Sequence, residues 1–392
     1  MNSCPACNNQ GLEPVYSVHN VPVNSCIMLD SLAEAMNYPV ANIDLVLCNQ
    51  CQLIFNKSFD KEYIEYSSRY EDQQCFSETF NEFLRQQVAE LIDDYEIRQK
   101  NILEIGCGKG DFLRLLCDMG GNNGIGVDPA VIPGRNTHNK IVFYSEPYSD
   151  KFSRMNPDLI CCRHTLEHIS DISEFIRIIR NTFHKNVNAR LFFEVPDASR
   201  IFNDQCFQDI YYEHCTYFTK ESLSYLFEHN GFSIDRIEQV YDKQYLTLVA
   251  SPDDKHNTSH PGENLSGHNN THHLDTSEFS VITVKKINQW RNIIHDFQIT
   301  GKTIVIWGGG SKCVSFFKAL HLDTRNSHIH IIDINPYRQG KYLPCIDIPV
   351  NSPEILRTVI PDLIVVMNEI YEEEIRKTLD SYSLHTDIIS LR

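Results

Sequence analysis

The segment NILEIGCGKGDF, residues 101–112, constrains the fold more than any other part of the chain. Residues 102–105 are apolar except for Glu104 and predict a buried parallel strand, which three glycines at alternate positions interrupt before helical spacing resumes at Phe112. Glycine is required where the backbone turns sharply and a ligand approaches it, because any Cβ would clash there. The segment therefore predicts a strand, a ligand-binding loop and a helix; a plain turn between strand and helix is the alternative.

The spacing of these glycines indicates which kind of loop this is. The pattern E-x-G-x-G-x-G is neither the dinucleotide signature G-x-G-x-x-G nor the P-loop signature G-x-x-x-x-G-K-[ST]. Residues 124–128 predict a second strand that ends in an acid, Asp128, placed to accept hydrogen bonds from two ribose hydroxyls. Together, the loop and the acid resemble the first two motifs of class I S-adenosylmethionine-dependent methyltransferases. The residues expected to bind this cofactor are Glu104, Gly106, Cys107, Gly108, Asp128 and, after a later strand, Arg163.

Length and charge exclude several classes of protein. A chain of 392 residues is long for a single core and predicts two or three domains. The formal net charge of −17 repels phosphate backbones, which argues against partners such as nucleic acid or an anionic membrane. No apolar run approaches the roughly 20 residues that span a bilayer, and the N-terminus has no signal-peptide pattern. We therefore expect a cytoplasmic protein, either a monomer or a small homo-oligomer.

Two C-x-x-C pairs lie near the N-terminus, at Cys4 and Cys7 and at Cys48 and Cys51. Four thiolates match the tetrahedral coordination of structural zinc, and such a site has no open position for catalysis. A redox role is the weaker interpretation, because neither pair lies between a strand and a helix of a thioredoxin-like unit. The pairs therefore predict a zinc ion that folds an N-terminal lobe.

Polar residues also follow the predicted strand at residues 157–162. His168 lies in the segment that leaves its carboxyl end, where parallel sheets bind ligands, although a histidine at a helix start is the alternative. Farther upstream, Tyr63 and Tyr66 are three residues apart, so that a helical turn would place both hydroxyls on one side. Simple packing of these two tyrosines is the alternative to a functional role.

The segment DIYYEHCTYFT, residues 209–219, is too polar for a core and too aromatic for a solvated loop. It combines the Glu213 carboxylate and the His214 imidazole with phenols that include Tyr211 and Tyr217. An imidazole beside a carboxylate can be held in one tautomer and given a pKa suited to a general base. We therefore expect a catalytic site here; a surface Glu-His pair is the alternative.

The C-terminal part begins with a change of composition. Residues 251–277 are rich in Ser, Asn, Asp, Gly and Thr and carry five histidines, which predicts a solvated connection rather than a metal site. Residues 302–313 then repeat the order strand, glycine loop, helix. Asp333 follows as in a redox dinucleotide site, but the consecutive glycines and the positive charge of Lys312 favour a nucleotide-recognising half-Rossmann domain.

These motifs in this order resemble bacterial sugar 3-C-methyltransferases. The resemblance implies an α/β protein in which residues 1–75 form a zinc-binding lobe and residues 76–250 a class I methyltransferase domain with a doubly wound sheet. Residues 251–280 would be a flexible linker and residues 281–392 a C-terminal Rossmann-like domain. The motifs that carry the resemblance are Cys4-x-x-Cys7, Cys48-x-x-Cys51, Tyr63-x-x-Tyr66, Glu104-x-Gly106-Cys107-Gly108, Leu166-Glu167-His168, Val195-Pro196-Asp197 and Tyr211-x-Glu213-His214-x-x-Tyr217-Phe218.

The resemblance also implies a reaction, in which a methyl group passes from S-adenosylmethionine to C3 of a nucleotide-linked 4-keto-6-deoxysugar. His214 would remove the C3 proton, with Glu213 as its hydrogen-bonding partner or as a substrate ligand. The groups expected to line the sugar, support the enolate or bind the substrate are Tyr211, His168, Tyr63, Tyr66, Tyr217 and Lys312.

Three points stay open at this stage. The loop Trp307-Gly308-Gly309-Gly310 departs from the small residues usual in the family, so the nucleotide is open among dTDP, GDP and CDP. A methyltransferase of the same architecture acting on O, N or C of another small metabolite would use similar residue types. A zinc-ribbon adaptor that has kept the fold without catalysis is the alternative of another class.

Overall fold

The computed structural model describes residues 2–183, 186, 188–253, 274–322 and 328–391. Its strands form three sheets, an N-terminal, a central and a C-terminal sheet. No helix in these ranges combines the length and the apolar character needed to cross a bilayer. The linker histidines on which the metal-site alternative depended lie outside the described residues: His256, His260, His268, His272 and His273.

The N-terminal sheet is antiparallel and has the strand order β1-β2-β3-β9. Its elements are β1 (Leu12–Pro22), α1 (Leu32–Met36), β2 (Val40–Cys48), β3 (Ile54–Asn56) and β9 (Thr216–Tyr217). Strand β9 pairs with β3 although more than 150 residues separate them, and it directly follows the Glu213-His214 pair. This pairing fixes the candidate catalytic segment against the N-terminal part of the chain.

The central sheet has seven strands in the order β10-β11-β8-β7-β4-β5-β6. The strands from β8 to β6 are parallel, and β11 runs antiparallel to both of its neighbours. This arrangement is that of class I methyltransferases, which confirms the predicted fold class. The elements are α2 (Glu78–Asp94), β4 (Asn101–Ile105), α3 (Asp111–Gly120), β5 (Asn123–Val127), β6 (Ile141–Tyr144), β7 (Leu159–Arg163), α4 (Ile172–Thr182), β8 (Arg190–Pro196), α5 (Ala198–Asn203), α6 (Lys220–His229), β10 (Phe232–Val240) and β11 (Tyr245–Pro252).

The C-terminal sheet is parallel and Rossmann-like, with the strand order β14-β13-β12-β15-β16. The chain leaves its first strand, β12, toward one side and later returns to the other, so the carboxyl end of β12 is a topological switch point where such sheets bind ligands. The elements are α7 (Phe279–Ile299), β12 (Ile304–Trp307), α8 (Ser311–Leu320), β13 (Ile329–Ile332), β14 (Val350–Asn351), β15 (Leu363–Val366), α9 (Glu372–Ser381) and β16 (Asp387–Ser390).

Buried polar contacts hold the three parts together. The Glu71 carboxylate forms an ion pair with Arg135 at 2.8 Å and accepts a hydrogen bond from Asn335 Nδ2 at 2.9 Å, so that it joins the central and C-terminal parts. The buried Lys109 ammonium donates to the carbonyl oxygens of Tyr70 and Ala130, at 2.9 and 2.8 Å. These contacts fix the segment at residues 70–71 beside the glycine loop.

Steric crowding explains the glycine at position 106. Its φ is +68°, in the left-handed region, and a Cβ there would lie 1.8 Å from Thr165 Oγ1 in the segment after β7. A residue with a side chain would therefore push apart two segments that both line the cavity described below. Gly121, at the end of α3, also has a left-handed φ, of +67°, but among the described atoms none lies within 4 Å of a Cβ built there.

The two glycines provide a matched test of this packing. Gly121→Ala introduces only left-handed strain, which costs about 1–2 kcal/mol. Gly106→Ala adds a clash that typically costs about 1–3 kcal/mol more. We therefore predict a clearly larger decrease in Tm for Gly106→Ala, measured by thermal unfolding of both variants side by side. Equal decreases would show that the 104–112 loop is not packed as described.

Candidate functional site

A cavity of about 350 Å³ lies between the carboxyl ends of strands from the central and C-terminal sheets. The glycine loop after β4 and the segments that follow β7 and β8 line one side of it. The end of β12 and the beginning of α8 line the other side. The cavity is therefore placed where both sheets are expected to bind ligands.

The glycine loop presents an open backbone surface to this cavity. A Cβ on Gly108 would meet nothing closer than the Asp72 carboxylate at 4.0 Å, so the loop has room for a ligand beside it. Asp128 lies behind the loop: its Oδ2 accepts from Gly108 N at 2.9 Å and its Oδ1 from Ala130 N at 2.6 Å. Each carboxylate oxygen keeps a second lone pair for a hydroxyl donor.

Glu104 is buried below the same loop. Its Oε2 accepts from Leu113 N at 3.1 Å, and burial raises the pKa of the carboxyl to about 8, although the Arg163 charge opposes this shift. The Arg163 guanidinium lies 4.4 Å from the centre of the Phe112 ring and donates to Glu194 at 2.5 Å. Cys107 is also buried, and its thiol stays protonated because burial raises its pKa well above the ordinary value.

His164 is a charged residue of the cavity wall that sequence reasoning did not single out. Its Nε2 lies 2.8 Å from the Glu194 carboxylate, and its Nδ1 lies 3.7 Å from Glu167. Burial opposes the charge on this imidazole, but the two carboxylates outweigh burial and raise its pKa to about 9. The sequence signal that could have identified His164 as a site residue was its position just after a predicted strand.

Two further imidazoles, those of His168 and His214, form the centre of the site. Their ring centroids lie 4.7 Å apart, and the Tyr211 ring lies 4.6 Å from that of His214. Within the described ranges, His214 Nδ1 is buried and has no hydrogen-bond partner. Burial, the neighbouring His168 ring and the positive charges of His164 and Lys312 lower the pKa of His214 well below its usual value, so the ring is neutral at pH 7.

A tyrosine supports His168 from behind. The Tyr66 hydroxyl lies 2.8 Å from His168 Nδ1, and burial raises the pKa of Tyr66 well above its usual value. The phenol therefore keeps its proton. Burial also lowers the pKa of His168, so its ring is neutral; in the tautomer that accepts the Tyr66 proton at Nδ1, it carries its own proton on Nε2.

Glu213 has a different partner from the one we expected. Its Oε1 accepts from Ser25 N at 2.9 Å and from Ser25 Oγ at 2.5 Å, and its Oε2 has no partner in the described part of the chain. Burial raises its pKa to about 7 against the opposing effect of the two bonds from Ser25. The structure therefore corrects the expected hydrogen bond to His214: consecutive side chains point apart, and Glu213 faces the N-terminal lobe.

A buried cluster of two cations and one carboxylate lies at the start of α8. Lys312 forms an ion pair with Asp209, whose other oxygen lies 3.3 Å from Arg200 Nη1. Tyr211 also donates its hydroxyl to Asp209, at 3.1 Å. Although burial opposes its charge, the two cations hold the pKa of Asp209 below the ordinary value, which leaves a net charge of +1 on the three groups. Sequence reasoning found Lys312 but neither of its partners.

Asp333 is occupied by contacts within the protein. Its Oδ2 accepts from Gly309 N at 2.7 Å and from Arg338 at 2.9 Å, and its Oδ1 accepts from Asn335 N at 2.7 Å. Both lone pairs of Asp333 Oδ2 are therefore used within the protein, whereas each oxygen of Asp128 keeps one lone pair. Our preference against a redox dinucleotide site stays a prediction.

Several expected site residues do not reach the cavity wall: Asp128, Tyr63, Tyr66, Glu213 and Tyr217. Tyr63 is 53% exposed and ends a single helical turn at Lys61–Tyr63, whereas Tyr66 lies beyond it. The expectation that one turn aligns both hydroxyls is wrong, because the chain is extended at Ile64, the residue after that turn. Tyr217 is buried and donates to the carbonyl oxygen of Tyr211 at 3.2 Å.

The four N-terminal cysteines lie together. Cys4 Sγ is 3.5 Å from Cys51 Sγ, and Cys7 Sγ is 3.5 Å from Cys48 Sγ. All four sulfur atoms lie within 4.8 Å of one another. These separations are far too long for a disulfide bond of about 2.05 Å.

Two family models match the chain. A methyltransferase domain matches residues 77–237, and a C-methyltransferase C-terminal domain matches residues 250–386. The C-methyltransferase NovU of Streptomyces niveus is 21% identical over 390 residues, which are 96% of this chain and 91% of the relative.

Solved structures also resemble part of the chain. A 1,6-didemethyltoxoflavin-N1-methyltransferase of Burkholderia thailandensis with bound S-adenosylhomocysteine is 16% identical, with a TM-score of 0.36 over 45% of this chain and 80% of that one. Magnesium protoporphyrin IX methyltransferase of Synechocystis PCC 6803 is 15% identical, with a TM-score of 0.36 over 45% of this chain and 84% of that one.

The observations on fold, loop and family agree. The central sheet has the strand order of class I methyltransferases and carries the glycine loop with its acid, and a domain found in C-methyltransferases follows it. The whole length aligns with a C-methyltransferase, which confirms the family resemblance and leaves the adaptor alternative without support. The protein is therefore an S-adenosylmethionine-dependent C-methyltransferase.

Proposed function

We propose that this enzyme methylates C3 of a nucleotide-linked 4-keto-6-deoxysugar and that His214 is the base that removes the C3 proton. One observation carries the proposal: a buried, neutral imidazole with an unpartnered Nδ1, as far as the described residues extend, lies in a cavity that also contains the glycine loop. A neutral ring with a free lone pair is what proton removal next to a ketone requires.

The residues around the loop fit the methyl donor. The open face of Gly108 leaves space for a bulky ligand, and the Asp128 carboxylate keeps lone pairs for ribose hydroxyls. Glu104, with one oxygen bound to Leu113 N, has its second oxygen for a further donor. When bound, S-adenosylmethionine supplies an electrophilic methyl group, so the protein has only to position a carbon nucleophile in line with it and exclude water.

The two imidazoles divide the proton chemistry between them. His214 takes the proton from C3, and the negative charge that develops on the ketone oxygen needs a hydrogen-bond donor. His168 is neutral and has its Nδ1 occupied by Tyr66, so its Nε2–H is the donor in this proposal. Tyr63 and Tyr217, which do not line the cavity, would reach the sugar only through a rearrangement or through their neighbours.

A direct test replaces the base. We predict that His214→Asn lowers kcat at least 100-fold while the affinity for S-adenosylmethionine, measured by calorimetry, changes less than twofold, because a positioned base contributes roughly 10²–10⁴-fold. The assay follows label from the methyl donor into a panel of dTDP-, GDP- and CDP-linked 4-keto-6-deoxysugars. His229→Asn, an exposed histidine stacked on Tyr225, is the matched control and should behave like the wild type.

Two results would contradict this proposal. Transfer at nearly the wild-type rate by His214→Asn would exclude the imidazole as the base. Transfer of the label to an oxygen, a nitrogen or a carbon of a different metabolite would exclude the sugar as the substrate. The protein would then be a methyltransferase of the same fold that acts on that metabolite.

The cationic cluster is the proposed site of the diphosphate. Lys312, at the beginning of α8, and Arg200, in α5 after the central strand β8, pair with the two oxygens of one carboxylate, that of Asp209, on the cavity wall. A diphosphate carries more negative charge than Asp209 and would satisfy both cations. Trp307, at the end of β12, is largely buried in the core of the C-terminal sheet but also lines the cavity, so its exposed edge would contact the base.

Lys312→Ala should therefore weaken binding of the nucleotide sugar. Charge-assisted hydrogen bonds contribute about 1.5–3 kcal/mol, so we predict an increase of roughly 10- to 100-fold in KM for the sugar nucleotide and little change in KM for the methyl donor. Lys318→Ala, on the same helix but not on the cavity wall, is the control. Equal KM values for both variants would place the diphosphate elsewhere.

The N-terminal cysteines are the proposed zinc site. Two thiolates bound to one tetrahedral zinc ion at 2.3 Å lie about 3.8 Å apart, close to the observed separations of 3.5 Å. Cys4, Cys48 and Cys51 are part of the apolar cluster that packs against the central sheet, and Ser173 of α4 donates to the carbonyl oxygen of Pro5 at 2.9 Å. The metal would therefore support the lobe that carries Ser25.

We predict one zinc ion per chain by elemental analysis. Cys48→Ser should lose the metal and with it the binding free energy that helps to fold the N-terminal lobe. We expect Tm to fall by at least about 5 °C, because a loss of 1 kcal/mol shifts Tm by roughly 4–8 °C in a domain of 60–100 residues. Cys345→Ser, a partly buried cysteine outside the cluster, should keep both metal and Tm. A metal-free wild type or a zinc-loaded Cys48→Ser variant would contradict the assignment.

A further inference from the structure

Glu213 is the end of a chain of hydrogen bonds that crosses all three parts of the protein. Ser25 belongs to the N-terminal part, Glu213 lies between α5 and α6 of the central part, and Ser311 is the first residue of α8. The Ser25 and Ser311 hydroxyl oxygens lie 2.7 Å apart, and Ser311 Oγ lies 3.0 Å from Cys26 Sγ. None of these contacts is local in sequence: residues 188 and 286 positions apart meet here.

The proton positions along this chain follow from the acceptors. Ser25 has one hydroxyl proton, and the carboxylate 2.5 Å away is the strongest acceptor near it. The same Ser25 hydroxyl is directed at Ser311 Oγ, which accepts from it at 2.7 Å, so its one proton is shared between two acceptors. Burial raises the pKa of Cys26 to about 11, so its thiol keeps a proton to donate to Ser311. Cys26 and Ser311 line the cavity wall, so these contacts connect that wall with Glu213.

The anchored carboxylate restrains the position of the next residue. In the described part of the chain His214 Nδ1 has no hydrogen-bond partner, so ring contacts and the backbone position that ring. Two bonds from Ser25, one from its amide and one from its hydroxyl, hold the Glu213 side chain on the opposite side of the same backbone. A shift of this anchor would move the imidazole relative to its substrate, and a misplacement of about 1 Å can cost roughly 100-fold in rate.

We infer that Ser25 and Ser311 are positioning residues for the base: through Glu213 they hold His214 in place, and the active site is complete only when α8 is docked on the N-terminal part. This inference rests on the proposed function of His214. Neither serine touches the reacting carbon, and each acts through the carboxylate.

The experiment measures the proton-removal step by itself. The 4-keto-6-deoxysugar nucleotide is incubated with the enzyme and S-adenosylhomocysteine in D₂O, and exchange of the C3 proton is followed by NMR; kcat and KM for methyl transfer are measured in parallel. We expect Ser25→Ala to lower the exchange rate and kcat about 10- to 100-fold, with KM for the methyl donor within twofold. Ser311→Ala should lower both rates about 3- to 10-fold, and Ser311→Thr, which keeps the hydroxyl, should restore them.

The controls separate positioning from general destabilisation. Ser280→Ala removes a serine that donates across parts of the chain to the carbonyl oxygen of Val15, at 2.9 Å and away from the cavity wall, and it should exchange like the wild type. Because the two serines act in series, the double variant should be no slower than Ser25→Ala alone.

The possible failures are distinguishable. If the wild type does not exchange the C3 proton of any sugar tested, the proposed function fails. If the wild type exchanges the proton and both serine variants exchange it as fast as the wild type, the positioning role is overturned. The same holds if the losses of exchange rate in the two single variants add up in the double variant, or if these losses follow the decreases in Tm. If Ser25→Ala does not fold, the exchange rates of Ser311→Ala and Ser311→Thr are compared instead. A slow Ser311→Ala with a restored Ser311→Thr supports the positioning role, and equal rates overturn it.

Discussion

Desolvation of one imidazole underlies this account of the enzyme. A histidine in water has a pKa near 6.5 and is hydrogen-bonded on both nitrogens. In the cavity, burial and neighbouring positive charges hold His214 neutral, and the structure as described offers its Nδ1 no partner. That unsatisfied buried nitrogen is costly unless a ligand uses it. In the proposed mechanism, the glycine loop, the cationic cluster and the Ser25 anchor bring a methyl donor and an acidic C–H to that imidazole.

Three sheets are needed because no single one provides all of these groups. The central sheet supplies the loop and both imidazole-bearing segments, whereas the C-terminal sheet supplies Lys312 and Trp307. The N-terminal sheet takes β9 as its edge strand, and the segment after its strand β1 contributes Ser25, so this part of the chain orders the segment that contains His214. Charged contacts such as that of Glu71 with Arg135 and Asn335 keep these parts in register.

Local features of the sequence were sufficient for the central and C-terminal α/β units, but not for the pairing within the N-terminal sheet or for the partners in the site. The glycines at 106 and 108 predict their loop because a backbone conformation and a close approach require them. The pairing of β9 with β3 joins two-residue and three-residue strands far apart in sequence, and nothing local indicates it. The adjacent Glu213 and His214 suggested a dyad, yet Ser25 takes the carboxylate, because tertiary packing decides which way consecutive side chains point.

The central claim is that His214 is neutral in the folded enzyme, and histidine NMR measures this most directly. The protein is labelled with ¹⁵N-histidine, the His214 signals are assigned by their loss in a His214→Asn spectrum, and their shifts are followed from pH 5 to pH 8. The account predicts a neutral imidazole throughout the range above pH 6.5, with a pKa well below that value. A titration midpoint at or above 7, or a ring that is charged at neutral pH, would contradict it.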